Sequence, residues 1–193
     1  MDKSVTSGRA ETPADLELRR ARERAKYEAL TATGYGGTNH GRFATRLVRS
    51  LRPQFVADFG CGKNLFMQHL RRFGIDGVGI DFAMPEADVQ APMHAVPVES
   101  GIADVVTAFD SLEHLLPEEV NEVLDEMRRV AKPGAHFVFS IATKQSHITA
   151  CGEHLHPTVQ PLAWWREKIA RVGTVRKRLF LLRYIVGDFR TGK

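Results

Sequence analysis

Beyond residue 53 the chain alternates short, continuous apolar runs with stretches of helical periodicity, and nothing else in it restricts the fold as strongly. A strand that is apolar at every position is buried on both faces, which requires helices above and below it and hence a largely parallel sheet. The pattern predicts strands over 54–59, 77–80, 104–109 and 136–141, with a short one over 87–89 in a proline-rich stretch. Helices are predicted over 64–73, 117–130 and 161–172. In the second of these, Val120, Val123, Leu124, Met127 and Val130 recur at spacings of three or four, and Lys132-Pro133-Gly134 stops the run. The last twenty residues read as one or two further strands.

The segment before this alternation is different in kind. The first dozen residues are polar and are expected to fray. Thr12 then caps a helix whose first turn holds Pro13 and Asp15, and Arg19, Arg20, Arg22, Arg24 and Lys26 follow before its end near Leu30. Four glycines within residues 34–41 make that stretch a loop, and a second helix over 42–51 stops ahead of Pro53.

A chain of 193 residues can bury about 70% of its unfolded surface in one core, so it folds without a disulfide or structural metal. Cys61 and Cys151 are far apart, lack a CxxC partner and follow no signal-like segment, which points to a reducing cytoplasm. No apolar run is long enough to cross a bilayer, so no membrane role is expected. Charge is uneven: residues 1–50 carry a balance of +4, residues 51–150 one of −6, and residues 151–193 one of +6. Basic termini of this kind raise RNA as a partner, while solvated helix faces explain such charge more often.

The chemistry concentrates in VADFGCGKN, residues 56–64, where a buried strand ends in an acid and passes through two glycines into a helix. Glycines at such a turn let a ligand approach bare backbone. About twenty residues on, a second strand ends in Gly79-Ile-Asp81-Phe82, where an acid can accept both hydroxyls of a ribose. Together they indicate a nucleoside-containing cofactor at the carboxyl edge of the sheet. A dinucleotide fingerprint would read GxGxxG; here Asp58 precedes the glycines and would repel a pyrophosphate, so a nicotinamide oxidoreductase is disfavoured.

In these features the chain resembles the class I S-adenosylmethionine-dependent methyltransferases, whose first motif runs acid-x-Gly-x-Gly-x-Gly. The resemblance covers about residues 54–143 and includes DFGCGKN, GIDF, the strand and loop of residues 104–115, and KPGAHFVF of residues 132–139. It implies a Rossmann-like, doubly wound α/β fold with a mostly parallel seven-stranded sheet, and S-adenosylmethionine as cofactor. It further implies that Asp58 and Gly60 lie near the methionine moiety, with Cys61 and Gly62 in the same loop. Asn64 stands in place of the third glycine. Asp81 would hold the ribose, Phe82 would stack on the adenine, Asp88 would receive its amino group, and Phe109 and Asp110 would lie beside the methyl group. The resemblance also makes residues 1–52 a helical lid, with Tyr35, Asn39 and His40 in its loop, over a methyltransferase domain of residues 53–193 bearing an acceptor-binding insert around 144–166.

On the acceptor side, Asp110-Ser-Leu-Glu113-His114 would share one face if the loop turned helical. This arrangement resembles the metal-binding segment of ubiquinone-pathway O-methyltransferases and of enzymes that methylate the terminal ribose of small RNAs. With His154 and His156 it would suit magnesium, manganese or zinc. Glu113 and His114 can equally line a metal-free pocket, with His114 as general base. Of Trp164 and Trp165, one is expected in the core and the other partly exposed. The expected function is methyl transfer to an oxygen or nitrogen of a small-molecule acceptor; the alternatives are metal-assisted ribose methylation of RNA and a non-catalytic cofactor-binding module. The oligomeric state stays open at this level.

Overall fold

The central strands are apolar on both faces because helices cover both. The structure, a computed structural model, describes residues 12–181 and 184–190, with residues from 174 onward described by backbone alone. Strands β1 (Phe55–Phe59), β2 (Asp76–Ile80), β3 (Ala103–Phe109) and β4 (Ala131–Ala142) are parallel. The chain end adds β7 (Thr174–Leu181) and β8 (Tyr184–Arg190) as antiparallel partners, in the order β2-β1-β3-β4-β8-β7. A small hairpin, β5 (Thr149–Ala150) and β6 (Glu153–His154), stands apart.

Alternate residues of each strand feed opposite cores. Ala57, Phe59, Val106, Phe137 and Phe139 pack with α4 (Val120–Val130) and α5 (Leu162–Ile169) on one face. Val56, Val105 and Val138 pack with α2 (Thr45–Ser50) and α3 (Leu65–Arg71) on the other. Fully burying side chains of this size contributes about 1.5–3 kcal/mol each. Trp165 is fully buried in the first core, whereas Trp164 is half-buried.

Helix α1 (Pro13–Thr31) starts as its sequence predicts: the Asp15 N–H donates to Thr12 Oγ1 and the Thr12 N–H donates to Asp15 Oδ2. No described helix is long and apolar enough to cross a membrane.

Three expectations need correction. The sheet has six strands among the described residues, not seven, because residues 87–89 contribute only a single parallel bridge between Ile80 and Val89. Val89 donates to the Gly79 carbonyl and accepts the Asp81 N–H, but the Ala87 N–H turns back to the Met84 carbonyl, so the pairing stops at one bridge. Lys132-Pro133-Gly134 does end α4, but β4 begins at Ala131 and absorbs the three residues as an irregularity, with Ala103 facing Ala131 and Val105 facing His136. The helix expected over 42–51 opens as a 3₁₀ turn, His40–Ala44, before becoming α2. The fraying expected of the first dozen residues falls, up to residue 11, outside the described residues.

Candidate active site

From β1 the chain crosses to β2 on one side of the sheet and returns to β3 on the other, so the loops leaving β1 and β3 part above their carboxyl ends. A cavity of about 1160 Å³ opens there, walled also by α1, residues 34–41 and parts of residues 142–156.

The half of the cavity expected to take the cofactor is built by backbone contacts. The N–H groups of Gly60 and Cys61 donate to the Ile80 carbonyl at 2.8 and 3.0 Å, joining the loops after β1 and β2. Gly60 has φ +71°, and a Cβ on it would stand 2.5 Å from Ser111 Cβ, so only glycine lets this backbone lie against the loop leaving β3. Asp81 secures the same junction: Oδ2 accepts the Gly62 N–H at 3.1 Å and Oδ1 accepts those of Ala83 and Met84 at 2.9 and 3.2 Å. Asp58 is buried, and its Oδ1 accepts the Thr107 hydroxyl at 2.6 Å. Burial pushes the Asp58 carboxyl up to about 7 against the pull of that hydrogen bond, and the Asp81 charge adds to the rise. Burial also raises Asp81, with its three N–H donors opposing. Two acids reluctant to ionise in a water-poor wall are stabilised when a cation enters beside them.

Phe82 lines the cavity edge-on to Tyr27, with ring centroids 5.9 Å apart. Phe109 lies against Phe66 at 4.9 Å and Phe43 at 5.6 Å. Two expected cofactor residues point elsewhere. Asn64 has the left-handed backbone that its place in the loop allows, φ 57°, but its Nδ2 donates to the Glu86 carbonyl at 3.1 Å. Asp88 accepts Arg71 Nη2 at 2.6 Å and the Gly79 N–H at 2.7 Å. Burial alone would raise its carboxyl; those hydrogen bonds outweigh it and hold the group below the usual range.

In the half expected to take the acceptor, the Asp110–His114 segment is divided. The loop forms one 3₁₀ turn, Leu112–His114, rather than a helix, so Asp110 does not share a face with Glu113 and His114. Asp110, at φ +49°, accepts the Ser140 hydroxyl on Oδ1 at 2.7 Å and pairs through Oδ2 with His40 Nδ1 at 2.6 Å. Glu113 is fully buried; Oε1 accepts the Ala142 N–H at 2.9 Å, and Oε2 has no partner among the described residues. Burial, reinforced by the Asp110 charge, pushes its carboxyl up to about 8.

His114 Nδ1 lies 2.9 Å from the Leu155 carbonyl and in close contact with the Tyr27 hydroxyl, which donates to the same carbonyl at 2.9 Å. A proton on Nδ1 is the arrangement in which no two acceptors face each other, and it leaves Nε2 as a bare acceptor. His156 Nδ1 likewise donates to the Lys144 carbonyl at 2.9 Å, again leaving Nε2 bare. Burial, then the neighbouring His156, lower His114 to about 4, and burial lowers His156. Both rings are therefore neutral near pH 7. Glu113, His114 and His156 offer ligand atoms within 4.8 Å of one another. His154 is not among them: it is exposed on β6, and its carbonyl accepts Lys26 Nζ at 3.1 Å.

Sequence reasoning missed Tyr27, whose one available signal is that it is the lone aromatic of a charged helix. It also missed Thr107, Ser111 and Ser140, small hydroxyls inside apolar strands and loops that carry no pattern of their own. Arg19 and Arg20, part of the basic N-terminal stretch that raised RNA as a partner, pair with Glu118, Glu119 and Glu122 around the start of α4. The side chains of Arg176, Lys177 and Arg178 lie outside the described residues.

A family model described as a methyltransferase domain matches residues 37–177. Among curated proteins, the chain is similar to the ubiquinone biosynthesis O-methyltransferase of Acinetobacter baylyi, 28% identical over 151 residues that make up 61% of this chain and 60% of that protein. The Hahella chejuensis protein of the same name is 34% identical over 104 residues, 44% of this chain and 42% of that one. The chain thus spans three fifths or less of these relatives. Among solved structures, the fold is similar to the 1,6-didemethyltoxoflavin-N1-methyltransferase of Burkholderia thailandensis with bound S-adenosylhomocysteine, with a TM-score of 0.69 at 16% identity over 100% of this chain and 94% of that one.

Proposed function

The chain belongs to the methyltransferase-domain family, in its class I S-adenosylmethionine-dependent group, and on that premise we propose that it moves a methyl group from S-adenosylmethionine to an oxygen of a small-molecule acceptor. The observation that carries this is the shared cavity: Asp58, Gly60, Gly62 and Asp81 line one half of it and Glu113, His114 and His156 the other. The residues present fit the cofactor. The glycine backbone leaves a surface without side chains, and Asp58 and Asp81 form an acidic wall for a molecule that carries a sulfonium and an ammonium. When bound, S-adenosylmethionine supplies an electrophilic methyl group. In this reading Asp81 holds the ribose, and Phe82 covers the adenine. The protein's own part is to orient and to exclude water, which is where most of the rate gain of such a transfer arises.

The oxygen acceptor is supported by the likeness to ubiquinone biosynthesis O-methyltransferases. A small acceptor is supported by the roof over the cavity, since Tyr27 of α1 bonds the Leu155 carbonyl and touches His114. Residues 1–52 then act as a lid and residues 144–166 as an acceptor-binding insert, with His114 and His156 presenting bare Nε2 atoms to the acceptor.

A second reading is favoured by one observation, a buried Glu113 whose Oε2 has no partner among the described residues and which offers a ligand atom within 4.8 Å of those of His114 and His156. Two neutral imidazoles anchored through Nδ1–H to carbonyls, with one carboxylate, suit a divalent cation such as magnesium, manganese or zinc. Glu113, His114 and His156 would hold it, and it would supply Lewis acidity toward the acceptor oxygen.

Calorimetric titration of S-adenosylmethionine into chelator-treated protein, with Asp81→Ala as control, tests the first reading. Binding lost in the variant is expected, and no binding by the unaltered chain sinks it. Titration of magnesium, manganese and zinc, repeated on Glu113→Gln, tests the second.

A further inference from the structure

We propose that His40, oriented by Asp110, is the catalytic base that takes the proton from the acceptor hydroxyl; this rests on the methyl-transfer reading above. His40 begins the 3₁₀ turn that follows the glycine loop, and Asp110 follows the last residue of β3, so the pair joins the roof of the cavity to the tip of a central strand. A carboxylate only accepts, so the 2.6 Å contact requires the proton of the neutral ring on Nδ1, and Nε2 is left as the bare atom. His40 lines the cavity and keeps 48% of its side chain exposed, so the ring is open both to the cavity and to water.

Asp110 is itself held in place. Its Oδ1 accepts the Ser140 hydroxyl at 2.7 Å and its N–H donates to the Ser140 carbonyl at 2.9 Å, while the backbone keeps φ at +49°. Left-handed backbone outside glycine persists only where neighbours enforce it, and here it directs the carboxylate at His40. The next residue, Ser111, packs against Gly60, and the pair lines the same cavity as the acidic wall and the Glu113–His114–His156 group. A base oriented through Nδ1 by a fixed carboxylate keeps its reactive nitrogen aimed, and the imidazolium it forms is stabilised by the same carboxylate. His114 lacks this support: it is bonded to a carbonyl and faces a second imidazole, so gaining a proton there is disfavoured.

The step balances without a further reagent. As the acceptor oxygen bonds to the methyl carbon, its O–H bond breaks and the proton passes to His40 Nε2. The electron pair of the sulfur–carbon bond stays on sulfur, which becomes a neutral thioether. The half-exposed imidazolium then returns its proton to water. Asp110 and Ser140 are positioning residues.

The test has two parts, both on the full chain. Proton NMR of protein labelled with ¹⁵N-histidine, with S-adenosylhomocysteine present, is expected to show one strongly downfield Nδ1–H resonance that is lost in His40→Asn and in Asp110→Asn; asparagine tolerates the left-handed backbone, so the second variant keeps its fold. Its absence from the unaltered protein overturns the pairing. Methyl transfer from S-adenosylmethionine is then measured on two probes at mildly alkaline pH: phenol, which keeps its proton, and 4-nitrophenol, which is largely ionised. His40→Asn is expected to lower kcat on phenol by about 10²-fold or more and to leave the ionised probe within about tenfold. Equal losses on both probes, or no loss on phenol, overturn the base assignment. Transfer to neither probe by a chain that binds S-adenosylhomocysteine overturns it as well, whereas failure to bind S-adenosylhomocysteine in a calorimeter overturns the methyl-transfer reading beneath it.

Discussion

The Thr107 hydroxyl on β3 donates to Asp58 Oδ1 on β1 at 2.6 Å, so the acid nearest the glycine loop is positioned by the neighbouring strand and not by the loop itself. In parallel register Asp58 faces Thr107, which puts donor and acceptor side by side in a layer that water does not reach.

This pair predicts a pH dependence. The Asp58 carboxyl rises from 3.8 to about 7 in the folded chain. Between those values the folded state keeps a proton that the unfolded state has lost, so stability falls as pH rises through this window and levels off above it. A cationic ligand favours the carboxylate, so cofactor affinity moves the other way and increases as pH passes through about 7. Denaturation midpoints and titration calorimetry at several pH values check both signs, and Asp58→Asn should reduce both slopes, with Glu113 and Asp81 supplying what remains of the stability slope.

Gly60→Ala should lower stability by roughly 1–3 kcal/mol and abolish cofactor binding, since the new Cβ meets Ser111 Cβ at 2.5 Å on a backbone at φ +71°. Adding Ser111→Gly removes the collision but not the backbone strain. The double variant should therefore regain only part of the loss in a urea melt.

Tyr27→Phe removes the hydroxyl that donates to the Leu155 carbonyl and contacts His114. The expected cost is about 1 kcal/mol, concentrated in the docking of α1. Limited proteolysis should cut earlier within residues 13–31 while the sheet remains resistant. An unchanged cleavage rate would show that the ion pairs of Arg20 hold the helix without it.

Trp165 is fully buried on α5, and its Nε1 has no partner among the described residues. Trp165→Ala should cost about 3–5 kcal/mol. Trp165→Phe should be much milder, because it removes the unpaired donor as well as volume. Trp164, half-buried, should tolerate alanine better than Trp165 does, as thermal melts of the three variants would record.

Much of this architecture was readable from residue order. Continuous apolar strands required two covering layers, and Val120 to Val130 announced α4 through its spacing, since both depend on local periodicity. The acid and glycines of residues 58–62, with Asp81 some twenty positions on, marked one wall of the cavity, because a turn that leaves backbone bare at a strand tip needs those residue types. The sheet came out one strand short where residues 87–89 made a single bridge and the Ala87 N–H turned back to the Met84 carbonyl. Asp88 and Asn64 turned to Arg71 and Glu86, partners that no spacing rule identifies.

The sequence by itself determined the layered α/β plan, the polar tips of the strands and the acidic character of the cofactor wall, all consequences of local pattern and residue chemistry. The tertiary structure alone decided which side chains act together. His40 meets Asp110 across seventy positions, and Tyr27 meets Leu155 across 128. The single 3₁₀ turn after β3 sends Asp110 toward one group and Glu113 with His114 toward another. Such pairings follow from strand register and from how α1 packs over the cavity, and these are properties of the whole fold that no short window of sequence encodes.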